Sequence, residues 1–377
     1  MNIKLYSEFI FLIVLGIVTS LSLPPLNFVL INFLTFSLFF LFLIKKAVVI
    51  KNKKVFFLYG WLFGFGYFIS NIYWISISLT FDQSFKSLIP LTIFLIPSFL
   101  AIFYGLVSYI FIIFKPEKIV SSFLIFSLTF GISEFIRGSI LTGFPWNLIA
   151  YSFSNHLEIL SITSIIGTYA FNLFCISLFT SPAIFIKRDS KKDIGVCIFF
   201  LFATILFYMY GYAYKNKFNS ANKIIHDYKV RAVGSNISLD RFYINVNPSS
   251  VIEDLIEISN PIDKEKVIFV WPEGILPDLS KDQLIEYYSL FKNKFNRNHF
   301  LIIGINSELV DNGSKSYFNS LSVYDNELNI LDSYNKINLV PFGEFLPFEN
   351  FLNNFGLKKI TEGHGSFLKG NENNNLL

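Results

Sequence analysis

Apolar residues fall in long blocks over the first 215 positions of this chain and in short groups separated by polar residues from about residue 229 onward. A helix needs about 20 mostly apolar residues to cross a bilayer. Seven blocks meet that demand: residues 7–23, 26–44, 55–79, 88–114, 119–136, 157–186 and 194–214. The first could pass for a secretion signal, because Lys4 precedes its apolar core. The next block follows directly on Pro24-Pro25, which instead predicts a helical hairpin that stays in the membrane.

After residue 229 the period shortens. Strands are predicted near residues 229–233, 267–271 and 300–305, and a hairpin pairs 317–324 with 328–334 through Asp325-Asn326. Helices are predicted at 248–258 and 281–295, where apolar residues recur at helical spacing. The expectation is a multi-pass α-helical membrane domain over residues 1–215, with about seven spans. An α/β layered domain follows over residues 222–377.

Composition agrees with that division. The chain is 53% hydrophobic and 15% charged, against about a quarter charged in ordinary soluble domains. Its net charge of +4 comes largely from lysines beside the apolar blocks, which is a topology signal and implies no nucleic-acid partner. Lys45, Lys46, Lys51, Lys53 and Lys54 follow the second block, Lys115 and Lys118 the fourth, and Lys187, Arg188, Lys191 and Lys192 the sixth. By the positive-inside rule the N-terminus is then cytoplasmic, and with seven spans the polar domain lies on the opposite side. Cys175 and Cys197 both sit inside apolar blocks. Neither has metal-ligand spacing, and no metal or cofactor is implied.

Two regions carry candidate chemistry. In the apolar part Glu134 and Arg137 share a helix face, just before a segment broken by Gly and Pro that includes Gly143-Phe-Pro-Trp146-Asn147. Two readings stay open there. One is an interfacial ion pair within an aromatic belt; the other is a cleft open to lipid, in which Arg137 meets a phosphate and Trp146, Asn147 and Trp74 face the same leaflet. In the polar part Glu273 ends the run Val267-Ile-Phe-Val-Trp-Pro-Glu-Gly274, and Lys336 and Glu344 lie in Tyr334-Asn-Lys-Ile-Asn-Leu-Val-Pro-Phe-Gly-Glu344. A glutamate and a lysine at strand ends could be a structural ion pair or a general base with a cationic oxyanion stabiliser.

The order of these motifs resembles the nitrilase-type carbon-nitrogen hydrolases. The Leu-Val-Pro-Phe-Gly-Glu form behind a multi-pass part with Glu-x-x-Arg-Gly and Gly-Phe-Pro-Trp-Asn resembles, more narrowly, the apolipoprotein N-acyltransferase family. The resemblance implies an αββα nitrilase-like sandwich facing the periplasm of a bacterial inner membrane. It implies a Glu-Lys-Cys triad with Glu273 as proton acceptor, Lys336 as oxyanion stabiliser and Glu344 as supporting acid. The implied reaction moves an acyl chain from a phospholipid donor, through a cysteine thioester, to the N-terminal amine of a diacylglyceryl apolipoprotein. No cofactor is implied.

The family's nucleophile stands in a Cys-(Tyr/Phe)-Glu segment beyond the Phe-Gly-Glu motif, and no such segment occurs up to Leu377. The sandwich is therefore expected to be C-terminally incomplete, with no nucleophile in this stretch and with a separately encoded C-terminal fragment as one source of the thiol. Ser366 and His364 lack the family's cysteine context. Arg241, Phe242 and Tyr243 stay open between loop residues and an acyl pocket. Competing functions are a catalytically inactive fragment, a membrane-tethered nitrilase-type amidase and a transporter. The last is disfavoured by the lack of internal repeats.

Overall fold

A computed structural model of the chain describes residues 3–80, 83–141, 143–221, 226–236, 247–311, 314–349 and 366–371. Residues 241–243 and His364 lie outside them. The chain divides into two compact units, with the division between Asn222 and Lys223.

The first unit is helical: α1 (Ile3–Ser20), α2 (Ile31–Val49), α3 (Lys54–Ile72), α4 (Ile89–Phe114), α5 (Ile119–Arg137), the short α6 (Leu157–Leu160) and α7 (Thr163–Ile166), then α8 (Thr168–Thr180), α9 (Pro182–Ile186) and α10 (Ile194–Ser220). Among the described residues, six helices are long and apolar enough to cross a membrane. The seventh expected span, α1, is a shorter apolar helix. It is nevertheless packed closely: a Cβ on Gly16 would lie 2.1 Å from the Phe63 carbonyl, and one on Gly66 would lie 2.1 Å from that of Ile13. Small residues let helix backbones approach this closely where lipid supplies no hydrophobic drive. The interior is otherwise aromatic, with Phe36, Phe39, Phe63, Tyr104, Phe126 and Phe130 buried together.

Two boundaries differ from expectation. The second helix starts at Ile31 and not near residue 26, because the chain turns first through Asn27, whose φ is +56°. The block at 157–186 is not one span: Gly167, at φ +77°, separates α6 and α7 from the membrane-length helix Thr168–Ile186.

The second unit contains β1 (Lys229–Ala232), α11 (Pro248–Ser259), β2 (Val267–Val270), β3 (Leu276–Ser280), α12 (Tyr288–Phe291), β4 (His299–Asp311), β5 (Ser314–Phe318), β6 (Ser320–Tyr324) and β7 (Ile330–Asn335). They make a seven-stranded mixed sheet with the path β1-β2-β4-β6-β7. Strands β1, β2 and β4 are parallel, as expected for the unbroken apolar run of β2. Strands β6 and β7 continue antiparallel. The long β4 pairs β6 through its first half and β5 through its second. Val267, Phe269 and Trp271 bury one face of β2 in a core with Ile252 and Leu255 of α11. Helix α11 is well bounded: Asn247 accepts a hydrogen bond from the Ser249 amide at 3.0 Å, Pro248 occupies the first turn, and Asn260 ends it at φ +42°. Such a cap satisfies one of the amides that a helix start leaves free.

The helix expected over 281–295 is reduced to a 3-10 turn, Leu284–Tyr287, and α12. Its apolar positions do face inward, since Leu284, Phe291 and Phe295 are buried. The Gln283 side chain accepts from the Ser280 amide at 2.9 Å, tying the segment to the end of β3. The strand expected over 317–324 is also split, with Asn319 between β5 and β6.

Candidate active site

Glu273 occupies a turn whose shape its neighbours impose. Trp271 ends the β2 run, with its amide donating to the Ile302 carbonyl at 2.8 Å and its indole donating to Ser259 Oγ at 2.9 Å. Pro272 stiffens the exit, and Gly274 takes φ +58°, a conformation that costs a residue without Cβ little. Across the turn a Cβ on Gly304 of β4 would lie 2.5 Å from Glu273 Cα. Glycine at 304 thus lets the glutamate backbone lie directly against the sheet.

Lys336 follows β7. Its amide donates to the Asn319 carbonyl at 2.8 Å. The residue before it, Asn335, is anchored in the sheet: its Oδ1 accepts from Ser307 Oγ at 2.9 Å and from Ser320 Oγ at 2.7 Å. Glu344 lies in a loop that bonds to itself. Its amide donates to the Val340 carbonyl at 2.8 Å, and the Val340 amide donates to Glu344 Oε2 at 2.7 Å. Phe342 in that loop has φ +63°, a strained conformation for a bulky residue of the kind that clusters at functional sites.

These three elements bring four polar side chains together. Lys336 Nζ donates to Glu273 Oε1 at 3.1 Å and to Glu344 Oε1 at 2.7 Å. Asn319 Nδ2 donates to the same two oxygens, at 2.7 Å each. One ammonium and one amide therefore bridge two carboxylates that would otherwise repel each other. The carboxylates differ in setting. Glu344 is 14% exposed, with both oxygens engaged, whereas Glu273 is 64% exposed. The open carboxylate can meet an incoming proton donor; the closed one holds the lysine.

Charge follows geometry. Partial burial works against the ionised form of Glu273, but hydrogen bonds from Asn319 and Lys336 outweigh it and hold the carboxyl below its ordinary range. Desolvation works against the Lys336 ammonium, and its bonds to Glu344 and Glu273 outweigh that in turn, raising its pKa. The group thus stands as carboxylate and ammonium at neutral pH.

Glu273, Lys336 and Glu344 come together from sequence positions far apart. Asn319, which touches both carboxylates, was not singled out by the sequence pattern. Its signal was a residue poorly suited to strands in the middle of an otherwise strand-like run.

The membrane-unit candidates form a separate group. Trp74 and Trp146 stack with ring centroids 5.4 Å apart, and both are about half exposed. Asn147 has φ +57°, and its carbonyl accepts from Tyr67 Oη at 2.8 Å. Arg137 does not face outward. It is buried, ion-paired with Glu134, and its Nη1 donates to the carbonyls of Phe144 at 2.6 Å and Trp146 at 2.9 Å. Of the two readings left open for Arg137, this geometry supports the ion pair over the phosphate contact: Nη2 donates to Glu134 and Nη1 to the segment that carries Trp146. Cys175 is buried in α8, and Cys197 of α10 donates to the Ser181 carbonyl; both belong to the helical unit. Ser366 Oγ accepts from the Leu346 amide and donates to Glu349.

Comparison with known proteins bears on both units. Residues 15–181 match the family model described as the apolipoprotein N-acyltransferase N-terminal domain. The chain is 30% identical over 368 residues to an apolipoprotein N-acyltransferase of Rhizobium leguminosarum bv. trifolii, covering 93% of this chain and 68% of that protein. Proteins of the same name from Brucella melitensis biotype 1 and Rhodopseudomonas palustris are each 28% identical, over 94% and 96% of this chain and 68% and 69% of their own lengths.

Proposed function

The chain belongs to the apolipoprotein N-acyltransferase family, and from that premise we propose that it carries the acid–base half of an acyl-transfer site. It is a multi-pass membrane protein, with six helices long and apolar enough to cross. The observation that carries the proposal is the bridging of Glu273 and Glu344 by Lys336 and Asn319.

Glu273 accepts the proton of a cysteine thiol. The thiolate attacks the ester carbonyl of a phospholipid, and Lys336 stabilises the oxyanion of the tetrahedral intermediate. Collapse, with Glu273 returning its proton to the leaving oxygen, expels a lysophospholipid and leaves the acyl chain on sulfur as a thioester. The free α-amine of a diacylglyceryl-cysteine at an apolipoprotein N-terminus then attacks that thioester. An amide forms and the thiol is restored. Glu344 holds Lys336 in place throughout.

Cys175 and Cys197 stand within membrane helices and lack the Cys-(Tyr/Phe)-Glu setting, so the reacting thiol would come from outside these 377 residues. It would stand on further sequence of the same polypeptide or on a separately encoded fragment. Arg137 positions the segment bearing Trp146 and Asn147, and the Trp74 and Trp146 stack lines the lipid approach. The lysine-rich loops support a cytoplasmic N-terminus, a periplasmic second unit and residence in a bacterial inner membrane.

The test is reconstitution of the chain in phospholipid vesicles with a diacylglyceryl-cysteine peptide, with and without a thiol-bearing C-terminal fragment of a relative. Mass spectrometry of the peptide reads one added acyl chain. Acylation that needs the fragment and is lost in Glu273→Ala is the expected result. No acylation with the fragment bound would count against the proposal.

A further inference from the structure

Residues 366–370 run past the polar group, and their backbone donors meet the segments that build it. Ser366 Oγ accepts from the Leu346 amide at 3.3 Å. The Phe367 amide donates to the Glu344 carbonyl at 2.8 Å, the Leu368 amide to the Tyr317 carbonyl at 2.8 Å, and the Gly370 amide to the Lys336 carbonyl at 2.9 Å. Two of those acceptors belong to the charged residues themselves. The third lies two positions before Asn319, whose amide joins both carboxylates.

The fit at Gly370 is close. Gly370 is buried, and a Cβ there would lie 2.1 Å from the carbonyl oxygen of Asn335. Asn335 cannot readily yield, because its side chain is fixed by Ser307 and Ser320. Lys336 is thus gripped on both sides of its Cα, by its own amide on Asn319 and by Gly370 on its carbonyl.

We propose that residues 366–370 act as a strap that positions Lys336 and Glu344 against Glu273, by tying together the β5, β7 and 340–346 segments through their carbonyls. Its amide donors act on main-chain carbonyls and not on the reacting side-chain atoms. It sets the distance between an ammonium and two carboxylates, where a misplacement of about 1 Å can cost a hundredfold in rate. The inference rests on the role assigned above to the Glu273, Lys336 and Glu344 group, but its test needs no transfer activity, so the two can fail separately.

The experiment combines hydrogen exchange with the rate at which an acetylating reagent modifies Lys336, relative to the exposed Lys292, in the full chain in detergent. Such reagents attack the neutral amine, and the two carboxylates keep Lys336 protonated. In the unaltered chain the amides of Phe367, Leu368 and Gly370 are expected to be protected. Gly370→Ala should release them while β2 and β4 stay protected, and Lys336 acetylation should rise about tenfold as the carboxylates move off the ammonium. Ser366→Ala should raise it by less, and Gly234→Ala, where a Cβ meets open space, should leave it unchanged. Unprotected strap amides in the unaltered chain would overturn the proposal. So would unchanged Lys336 acetylation in either strap variant that has lost strap protection and kept its core. Should Gly370→Ala also lose the core, Ser366→Ala and the unaltered amides decide.

Discussion

Glu273 and Glu344 approach each other through the same two donors: Asn319 Nδ2 lies 2.7 Å from one oxygen of each, and Lys336 Nζ lies 3.1 and 2.7 Å from those same oxygens. Neither carboxylate can be altered without changing what the other feels. The predictions below follow from that coupling.

Lys336→Met removes the positive charge and leaves two carboxylates joined by one amide. Acyl transfer should fall by about 10²–10³-fold, the scale for losing one oxyanion donor. Lys336→Arg should recover only part, because a planar guanidinium does not reproduce a point charge. Initial rates at saturating lipid check both; a Lys336→Met protein with unchanged rate would remove the lysine from the chemistry.

Asn319→Ala deletes two charge-assisted hydrogen bonds. The bond to the more buried Glu344 should cost about 1.5–3 kcal/mol, and the bond to the largely exposed Glu273 little more. Thermal unfolding of the second unit, followed by hydrogen exchange in β6 and β7, reads the loss. Asn319→Asp should be worse than Asn319→Ala, since it adds a third negative charge.

Both ionisable partners make stability depend on pH, with opposite signs. Glu273 has a lowered pKa in the fold. Its contribution is present above the ordinary value of 4.5 and is lost as pH falls through the lowered folded value. Lys336 has a raised pKa. Its contribution is present below the ordinary 10.5 and is lost as pH rises through the raised folded value. Melting temperatures across the pH range, compared between the unaltered chain and Lys336→Met, should differ by a plateau that closes at both ends. A difference independent of pH would show that the ammonium does not hold Glu273 ionised.

Arg137 and Glu134 form a buried pair in the helical unit. Arg137→Met strands a carboxylate in an apolar interior and should destabilise that unit by about 3–5 kcal/mol. Adding Glu134→Leu should restore much of it, because replacing both charges by apolar groups removes the penalty. Heat-induced aggregation in detergent measures both. The double variant should still misplace Trp146, whose carbonyl Arg137 holds.

Helix α1 decides whether the N-terminus and the second unit lie on opposite sides of the membrane. Its 18 residues span about 27 Å at 1.5 Å per residue, close to the hydrocarbon thickness. Cysteines introduced near Lys4 and at Lys292 should react with an impermeant thiol reagent from opposite sides of sealed vesicles. Reaction from the same side would leave α1 out of the membrane and contradict the proposed cytoplasmic N-terminus.

Much of this was legible in the sequence, for identifiable reasons. Membrane-length helices advertise themselves by length and hydropathy, so α4, α5 and the helical stretch Lys54–Thr80 that begins with α3 start and end close to where the apolar blocks do. The strand ending in Glu273 was equally plain, because Pro272 and Gly274 punctuate it. What escaped was set by tertiary contact. Gly167 looks like any membrane glycine until its positive φ breaks a helix. Asn319 reads as a strand residue until β4 changes partner and splits β5 from β6. Arg137 stayed open between an ion pair and a lipid phosphate, since a sequence does not reveal that the carbonyls of Phe144 and Trp146 turn back to meet it.

The most direct test of Glu273 as the base is the rate of thioester formation. The chain is combined with the thiol-bearing sequence of a relative and a labelled phospholipid, and hydroxylamine-sensitive label on the protein is followed over time. Glu273→Gln keeps the side-chain shape and removes the basic oxygen. It should slow the step by about 10²–10⁴-fold, the range for general-base catalysis, while phospholipid binding stays unchanged. Thioester formation at the unaltered rate in Glu273→Gln would contradict the assignment of Glu273 as proton acceptor.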